Sequence, residues 1–167
     1  MSSGAFLKPG SLIGDDYVIV EKLSQGGMGA VYRAEQRSTG RTRALKLMQP
    51  ELVGDETLRA RFVQEAQIGA RIESEHVVEV IDAGVDDAIG SPFIAMELLR
   101  GETLGALAQR AAPLAPGLVR DVFEQLCHAL AAAHDRGVVH RDLKPDNVFV
   151  ARAQRVGRAS FTVKILD

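Results

Sequence analysis

The chain has 167 residues, of which 46% are hydrophobic and 25% are charged, and its formal net charge is −2. These are ordinary values for a globular protein, and the charge balance argues against a nucleic-acid partner, because that binding usually needs a basic face. The single cysteine, Cys127, excludes an internal disulfide and a cysteine metal cluster, and it favours a cytoplasmic location. Uncharged runs stay well short of the about 20 apolar residues that a membrane-spanning helix requires, so we expect no membrane segment in this chain.

The first part of the chain is predicted to be mostly β. Residues 1–16 are predicted to be a polar lead-in, and Val18, Val20 and Leu23 are the core candidates of the strand that follows. One helix is predicted over 55–73, because its apolar residues recur at the helical period. Five strands are predicted from apolar runs bounded by turn residues, the first three as an antiparallel meander: 17–23, 30–36, 42–48, 77–81 and 93–99.

The second part is predicted to be mostly helical, with a boundary near Arg100. Helices are predicted at 103–110 and 117–136, and short strands at 148–151 and 161–166. The long helix carries an apolar stripe and is followed by a glycine in the place of a C-cap. The residues of this stripe and cap are Leu118, Val122, Leu126, Leu130, Ala133 and Gly137.

A glycine-rich segment at residues 23–32 follows the first predicted strand. Glycines let backbone N–H groups approach phosphate oxygens without an intervening Cβ. By itself the segment is equally compatible with an ordinary hairpin. A dinucleotide-binding fingerprint would need a helix directly after the glycines. Val31 and Tyr32 continue as a strand instead, which disfavours a nicotinamide oxidoreductase.

Lys46 lies inside the apolar third strand. A buried ammonium group requires a counter-charge, and Glu65 on the predicted helix is a candidate. The alternation around Lys46 does not show which face of the strand is solvated, and a residue such as Glu65 taken alone is more often on the surface, so the pairing is a hypothesis.

Residues 140–147 read His-Arg-Asp-Leu-Lys-Pro-Asp-Asn. This loop combines a carboxylate (Asp142), an ammonium group (Lys144) and an amide oxygen (Asn147). Phosphoryl transfer needs all three, to orient a hydroxyl, to neutralise the transferring phosphate and to bind Mg²⁺. Asp167 closes the last predicted strand and is interpreted as a second metal ligand.

Together the four motifs resemble the eukaryotic-like (Hanks-type) serine/threonine protein kinases, and the Gly-Gly-Met-Gly-x-Val-Tyr form is most similar to their bacterial branch. The resemblance implies an α+β, bilobal protein-kinase-like fold, with the β-rich small lobe at 17–99 and the start of the helical large lobe at 100–167. It implies ATP and Mg²⁺ (or Mn²⁺) as cofactors, a protein with serine or threonine hydroxyls as substrate, and a role in signal transduction. It leaves open a dimer of the kinase and a membrane anchor downstream of the kinase domain.

The resemblance also assigns roles to single residues. Asp142 would be the catalytic base, Lys144 would contact the γ-phosphate, Lys46 would hold the α- and β-phosphates and pair with Glu65, and Asn147 and Asp167 would hold the metal. The nucleotide would be held by glycines over its phosphates, by apolar residues around the adenine and by backbone groups at the adenine edge. With Lys46 included, the residues assigned to the nucleotide are Leu23, Gly26, Gly27, Gly29, Val31, Ala44, Lys46, Met96, Glu97, Leu99 and Phe149.

The chain ends at Asp167, before the activation segment that the resemblance implies. We therefore expect a truncated kinase domain that is inactive on its own, with the apolar stripe of the long helix partly uncovered. The alternative is a non-catalytic ATP-binding (pseudokinase) scaffold module. A small-molecule phosphotransferase of the related fold is disfavoured, because such enzymes typically lack the Arg-Asp-Leu-Lys-Pro run.

Overall fold

A computed structural model of the chain describes residues 7–152 and 161–166. The chain divides into two compact units. The first consists of Met1–Gln67 and Glu79–Leu98, and the second of Ile68–Val78 and Leu99–Asp167. The segment Ile68–Val78 thus belongs to the second unit, although it precedes the boundary near Arg100 that the sequence predicts.

The first unit holds a six-stranded antiparallel sheet and most of helix α1 (Glu56–Gly69). The strand order is β1-β2-β3-β4-β6-β5, so the meander predicted for the first three predicted strands is confirmed as β2-β3-β4. A 3-10 turn, Pro50–Leu52, follows the fourth strand. The strands are β1 (Leu12–Ile13), β2 (Tyr17–Gln25), β3 (Gly29–Gln36), β4 (Arg41–Met48), β5 (Val80–Val85) and β6 (Pro92–Glu97).

The residues of β2 that face the core of the first unit differ from those predicted. Tyr17 and Ile19 are each 1% exposed, whereas Val18 and Val20 are only half-buried and Leu23 is 46% exposed. The prediction was wrong because both faces of the run Tyr-Val-Ile-Val are apolar, so alternation alone does not identify the inner face. Register shifts later in β2 also interrupt the alternation before it reaches Leu23.

Two further expectations for the first unit are wrong. Ile13, in the segment predicted as a polar lead-in, is 1% exposed and pairs with Tyr17 in β1–β2. The strand predicted at 77–81 begins only at Val80. Val77 instead forms a parallel bridge with Ile165 of the second unit's sheet, which extends that sheet by one short segment.

The second unit is built from a small sheet and two helices. The strand order is β7-β8-β9, with β7 (Gly101–Thr103), β8 (Val148–Arg152) and β9 (Phe161–Ile165). Helix α2 (Leu104–Ala111) begins after Thr103, whose hydroxyl accepts a hydrogen bond from the N–H of Ala106 at 3.1 Å. Helix α3 runs over Pro116–Asp135, and the predicted helices and strands of this part are confirmed to within two residues at each end.

Helix α3 uses the predicted stripe to form the core of the second unit. Val122 is 1% and Leu126 is 6% exposed, and both pack in one cluster with Val148, Val163 and Ile165 of the small sheet. The expectation of a partly uncovered stripe is therefore wrong for Val122 and Leu126, whereas Leu118 and Leu130 of the same stripe are only half-buried. The sequence did not reveal that β8 and β9, which follow later in the same chain, cover it.

The exposed apolar side chains of α3 lie elsewhere on the helix. Val119 is 36% and Phe123 is 56% exposed. After the helix, Gly137 has a φ of +71° and donates its N–H to the carbonyl of His134 at 2.9 Å, so the predicted C-cap glycine is confirmed.

Candidate active site

Lys46 and Glu65 meet in the first unit. On β4, Leu45 and Leu47 point into the sheet's core, and Lys46 points to the opposite face, yet it is only 8% exposed. The Lys46 Nζ lies 2.6 Å from Oε1 of Glu65, which projects from α1. The ammonium also lies 6.0 Å from the centre of the Phe62 ring, one turn earlier on that helix. The fold thus supplies a buried cation with its carboxylate partner.

The glycine-rich segment folds into a tight connection between β2 and β3, here called the glycine turn (residues 26–29). Gly26 donates its N–H to the carbonyl of Gly29 at 2.8 Å and closes the turn. A Cβ on Gly27 would have no heavy atom of the described residues within 4 Å. Backbone amides that face open space in such a turn can bind an anion, although the Gly26 N–H is already used in closing this one.

Gly29 differs from the other two glycines. It is buried, and a Cβ there would collide with the backbone carbonyl oxygen of Leu47 on β4. Gly29 is therefore required by the close approach of β3 to β4 beside Lys46, whereas Gly26 and Gly27 are exposed. The sequence pattern does not distinguish these two uses of glycine.

The residues assigned to adenine are distributed over both units. In the first unit Ala44 and Met96 are neighbours across β4 and β6, each 8% exposed, and Val31 is half-buried on β3. Phe149 on β8 and Leu99 belong to the second unit, and both are half-buried.

Two more residues assigned to the nucleotide are Glu97 and Leu23, which differ in hydrogen bonding and in exposure. The N–H of Glu97 already donates to the carbonyl of Glu79 at 3.0 Å within the first unit, so this N–H is not available to a ligand. Leu23 is the most exposed of the assigned apolar side chains, at 46%.

The loop 140–147, here called the Asp142 loop, brings three of the predicted residues together in the second unit. The Lys144 Nζ donates to Oδ2 of Asp142 at 2.7 Å. The Asn147 side-chain amide donates to the same oxygen at 3.1 Å and to the backbone carbonyl of Asp142 at 2.9 Å. Arg141 reaches this geometry with a φ of +62°, in the left-handed region that non-glycine residues rarely adopt.

The electrostatics of the Asp142 loop favour an ionised carboxylate. The hydrogen bond from Lys144 holds the pKa of Asp142 below its ordinary value of 3.8, and the Asn147 amide adds to this shift. The carboxylate is therefore charged at neutral pH and presents an acceptor to solvent, since its side chain is 67% exposed.

The end of β9 lies beside this loop, because Leu166 donates its N–H to the backbone carbonyl of Asn147 at 3.0 Å. Asp167, predicted as a metal ligand, lies outside the described residues. Within those residues no helix combines the length and apolar character that crossing a membrane takes.

Comparison with known proteins decides the family. The family model described as the protein kinase domain matches residues 17–167. This chain belongs to the protein kinase domain family. It is 44% identical over 149 residues to the serine/threonine-protein kinase Pkn1 of Myxococcus xanthus, a match that covers 89% of this chain and 20% of that protein.

Solved structures agree with the family. A crystal structure of the Mycobacterium tuberculosis PknI kinase domain is 30% identical, with a TM-score of 0.77, covering 98% of this chain and 62% of that one. A crystal structure of Rad53 in complex with AMP-PNP is 26% identical, with a TM-score of 0.77, covering 92% of this chain and 39% of that one. The predicted protein-kinase fold is thereby confirmed. The chain spans only part of the length of these relatives.

One contact to the glycine turn was missed by the sequence. Gln49, the residue after β4, donates its side-chain amide to the carbonyl of Gly26 at 2.9 Å. Gln49 is 23 residues away in sequence and belongs to none of the four motifs, so only its place after the Lys46 strand could have drawn attention to it.

Proposed function

We propose that this chain provides the nucleotide-binding and catalytic-loop part of a kinase that transfers the γ-phosphoryl group of ATP to serine or threonine hydroxyls of proteins, with Mg²⁺ or Mn²⁺. The observation that carries the proposal is the Asp142 loop, in which one carboxylate is held by an ammonium group and an amide. In this reading the first unit is the small lobe of the kinase and the second is the start of the large lobe.

The geometry of the Asp142 loop suits phosphoryl transfer to a hydroxyl. Asp142 is ionised and exposed, so it can accept a hydrogen bond from a substrate hydroxyl and orient it. It would take the hydroxyl proton as the oxygen bonds to the γ-phosphorus of ATP and the P–O bond to the leaving ADP breaks. Lys144, within 2.7 Å of that carboxylate, places a positive charge where the transferring phosphate would carry negative charge.

The residues present fit the cation and the phosphates. Both donor hydrogens of the Asn147 amide point toward Asp142, and within the described residues its side-chain oxygen accepts no hydrogen bond, so this oxygen is available to a hard cation. Bound ATP with its metal would supply the phosphoryl group and the cation's charge. Asn147 and Asp167 would hold the metal, and Lys46 with the amides of the glycine turn would hold the phosphates.

The choice of ATP and of protein substrates is supported by the relatives. Rad53 has been solved with AMP-PNP, and Pkn1 is a serine/threonine-protein kinase. The apolar pair Ala44 and Met96, with Val31 beside them on the same sheet, is chemically suited to one face of an adenine ring.

Phosphate transfer from radiolabelled ATP to a mixture of serine- and threonine-containing proteins tests the proposal in the full-length gene product. Asp142→Asn should lower kcat by about 10²–10⁴, because the hydroxyl loses its anionic acceptor. Asp135→Asn, at the exposed end of α3, is the matched control and should leave kcat unchanged. If ATP binds but no serine or threonine is labelled, the proposal of a kinase is wrong and the protein is a non-catalytic ATP-binding scaffold.

A polypeptide of these 167 residues alone should lack phosphotransfer. It spans 62% of the PknI kinase domain chain, and the activation segment implied by the family resemblance would come after Asp167, so the surface for a protein substrate would be incomplete. Label transfer by this polypeptide that disappears in Asp142→Asn would contradict the proposal of inactivity.

A further inference from the structure

Gln49 makes two hydrogen bonds to the glycine turn, one from its side chain and one from its backbone. Its Nε2 donates to the carbonyl of Gly26 at 2.9 Å. Its own N–H donates to the carbonyl of Met28 at 3.1 Å. Both distances are within the normal range for N–H···O bonds. A single residue therefore holds the turn near its beginning and near its end.

These two carbonyl groups flank the amides that an anion would meet. The turn is already closed by the bond from the Gly26 N–H to the Gly29 carbonyl, at 2.8 Å. With the Gly26 and Met28 carbonyls directed at Gln49, each intervening peptide group has less freedom to rotate. The glycine backbones are intrinsically flexible, since glycine has no Cβ to restrict its φ and ψ angles. Gln49 supplies a restriction that the glycines lack.

Gln49 is itself in a fixed position. It follows Met48, which is 1% exposed and whose carbonyl accepts a hydrogen bond from the buried Ser91 hydroxyl at 2.9 Å. Gln49 precedes Pro50, and the proline ring fixes the backbone angle φ of Pro50. The Gln49 carbonyl accepts the N–H of Leu52 at 2.9 Å. The side-chain amide thus extends from a backbone that is held on both sides.

The same strand carries Lys46, three residues earlier. Lys46 is fixed by its 2.6 Å contact to Glu65, and β3 can approach β4 here because Gly29 has no side chain. Gln49 therefore sets the position of the glycine turn relative to the ammonium group that we propose for the phosphates. The two groups belong to one rigid strand and its end.

We propose that Gln49 is a positioning residue that pre-organises the glycine turn for the phosphates of the nucleotide. This inference rests on the ATP binding proposed above. A turn that already has its bound conformation loses less conformational entropy when the ligand arrives, so it binds more tightly than a free turn. The effect should be confined to ligands with phosphates, because the Gln49 side chain donates to the glycine turn and, within the described residues, makes no hydrogen bond to those assigned to adenine.

The test replaces Gln49 by methionine in the full-length gene product. Gln49→Met keeps the length of the side chain and the backbone bond to Met28 but removes the donor to Gly26. Titration calorimetry would compare ATP, ADP and adenosine. We expect ATP and ADP to bind about three- to tenfold more weakly, the range for one hydrogen bond, and adenosine to bind as it does to the unmodified protein.

A second variant and a control accompany it. Gln49→Asn keeps the amide but shortens the side chain by one methylene, so it should show the same phosphate-selective loss even if Gln49→Met folds poorly. Gln64→Met, on the exposed side of α1, should leave all three affinities unchanged. Amide hydrogen exchange without nucleotide should become faster at Gly26 and Gln49 in Gln49→Met, because the turn is released.

The outcomes separate this inference from the proposed function. If the unmodified protein binds no ATP, the proposed function fails. If it binds ATP and both Gln49 variants bind ATP equally well, only the role of Gln49 is overturned. Equal weakening of ATP and adenosine would show a general structural role, and tighter ATP binding would show that Gln49 holds the turn away from the phosphates. Either result overturns the inference.

Discussion

The ion pair between Lys46 and Glu65 should stabilise the first unit by an amount that can be measured without any nucleotide. The Nζ and Oε1 atoms are 2.6 Å apart, and the two side chains are 10% and 23% exposed. Glu65→Leu removes the carboxylate while keeping an apolar helix former at that position of α1. Lys46 then remains buried without this carboxylate.

The geometry bounds the size of the effect. Coulomb's law at 2.6 Å gives about 1.6 kcal/mol in a medium like water and about 6 kcal/mol at the effective dielectric constant near a protein surface. Desolvation of both ions offsets part of this attraction, and Glu65 retains some contact with water. A coupling free energy of about 1–3 kcal/mol follows, above the value of about 0–1 kcal/mol for exposed pairs.

A double-mutant cycle isolates the coupling. Native-state amide exchange at Leu45 and Leu47 of β4 reports the free energy of opening of the first unit in the full-length gene product. We expect Glu65→Leu to lower that free energy by about 2 kcal/mol, and the double variant with Lys46→Met to recover most of the loss, because no buried ammonium then remains. Glu73→Leu, at an exposed position, serves as the control.

A small coupling would refute this reasoning. If the cycle gives less than about 0.5 kcal/mol, the pair is screened by water like an ordinary surface pair, and its burial has no energetic consequence. If Lys46→Met alone destabilises as much as Glu65→Leu and the double variant recovers nothing, packing of the side chains, and not charge, is what stabilises the contact.

Three further predictions concern other parts of the chain. Gly29→Ala should destabilise the sheet by about 2 kcal/mol or more, because the new Cβ would collide with a backbone carbonyl. Gly27→Ala, in open space, should change the midpoint of unfolding little, and equal midpoints for the two variants would contradict this reasoning. Lys144→Met should raise the pKa of Asp142 toward 3.8, which a carboxyl NMR titration would measure. The carboxylate would still be ionised at neutral pH, and an unchanged pKa would show that the hydrogen bond is not the main cause of the shift. Val122→Ala should cost about 2 kcal/mol by amide exchange in α3, since the side chain is 1% exposed, and a loss below about 0.5 kcal/mol would mean that the cluster refills the space.

Much of the fold could be predicted because its elements are specified locally. Helix α3 has a strong apolar stripe, a proline at its first turn and Gly137 after its end, and each of these acts within a few residues. The strands β3 and β4 were predicted within one residue for the same reason. The choice of the inner face of β2 failed because the pairing with β3 decides it, and Val77 was misplaced because its partner is Ile165.

The candidate site divides in a similar way. That Asp142, Lys144 and Asn147 lie together could be predicted, because they fall within six residues on one loop, whereas the hydrogen bonds among them came from the structure. The proximity of Lys46 to Glu65 was only a hypothesis, since 19 residues separate them and α1 must lie against β4 for them to meet. The contact of Gln49 with Gly26 was not predicted, because Gln49 belongs to none of the motifs and lies 23 residues from Gly26.

By itself the sequence determined which groups bear charge, where glycine permits a tight turn, and which family the motifs resemble. Only the tertiary structure decided which of those groups touch. Side-chain type is a local property, whereas a contact such as Gln49 to Gly26 depends on how closely β3 packs on β4. Gly29 permits that close approach because it has no side chain, and in the sequence it looks the same as the exposed glycines of the turn.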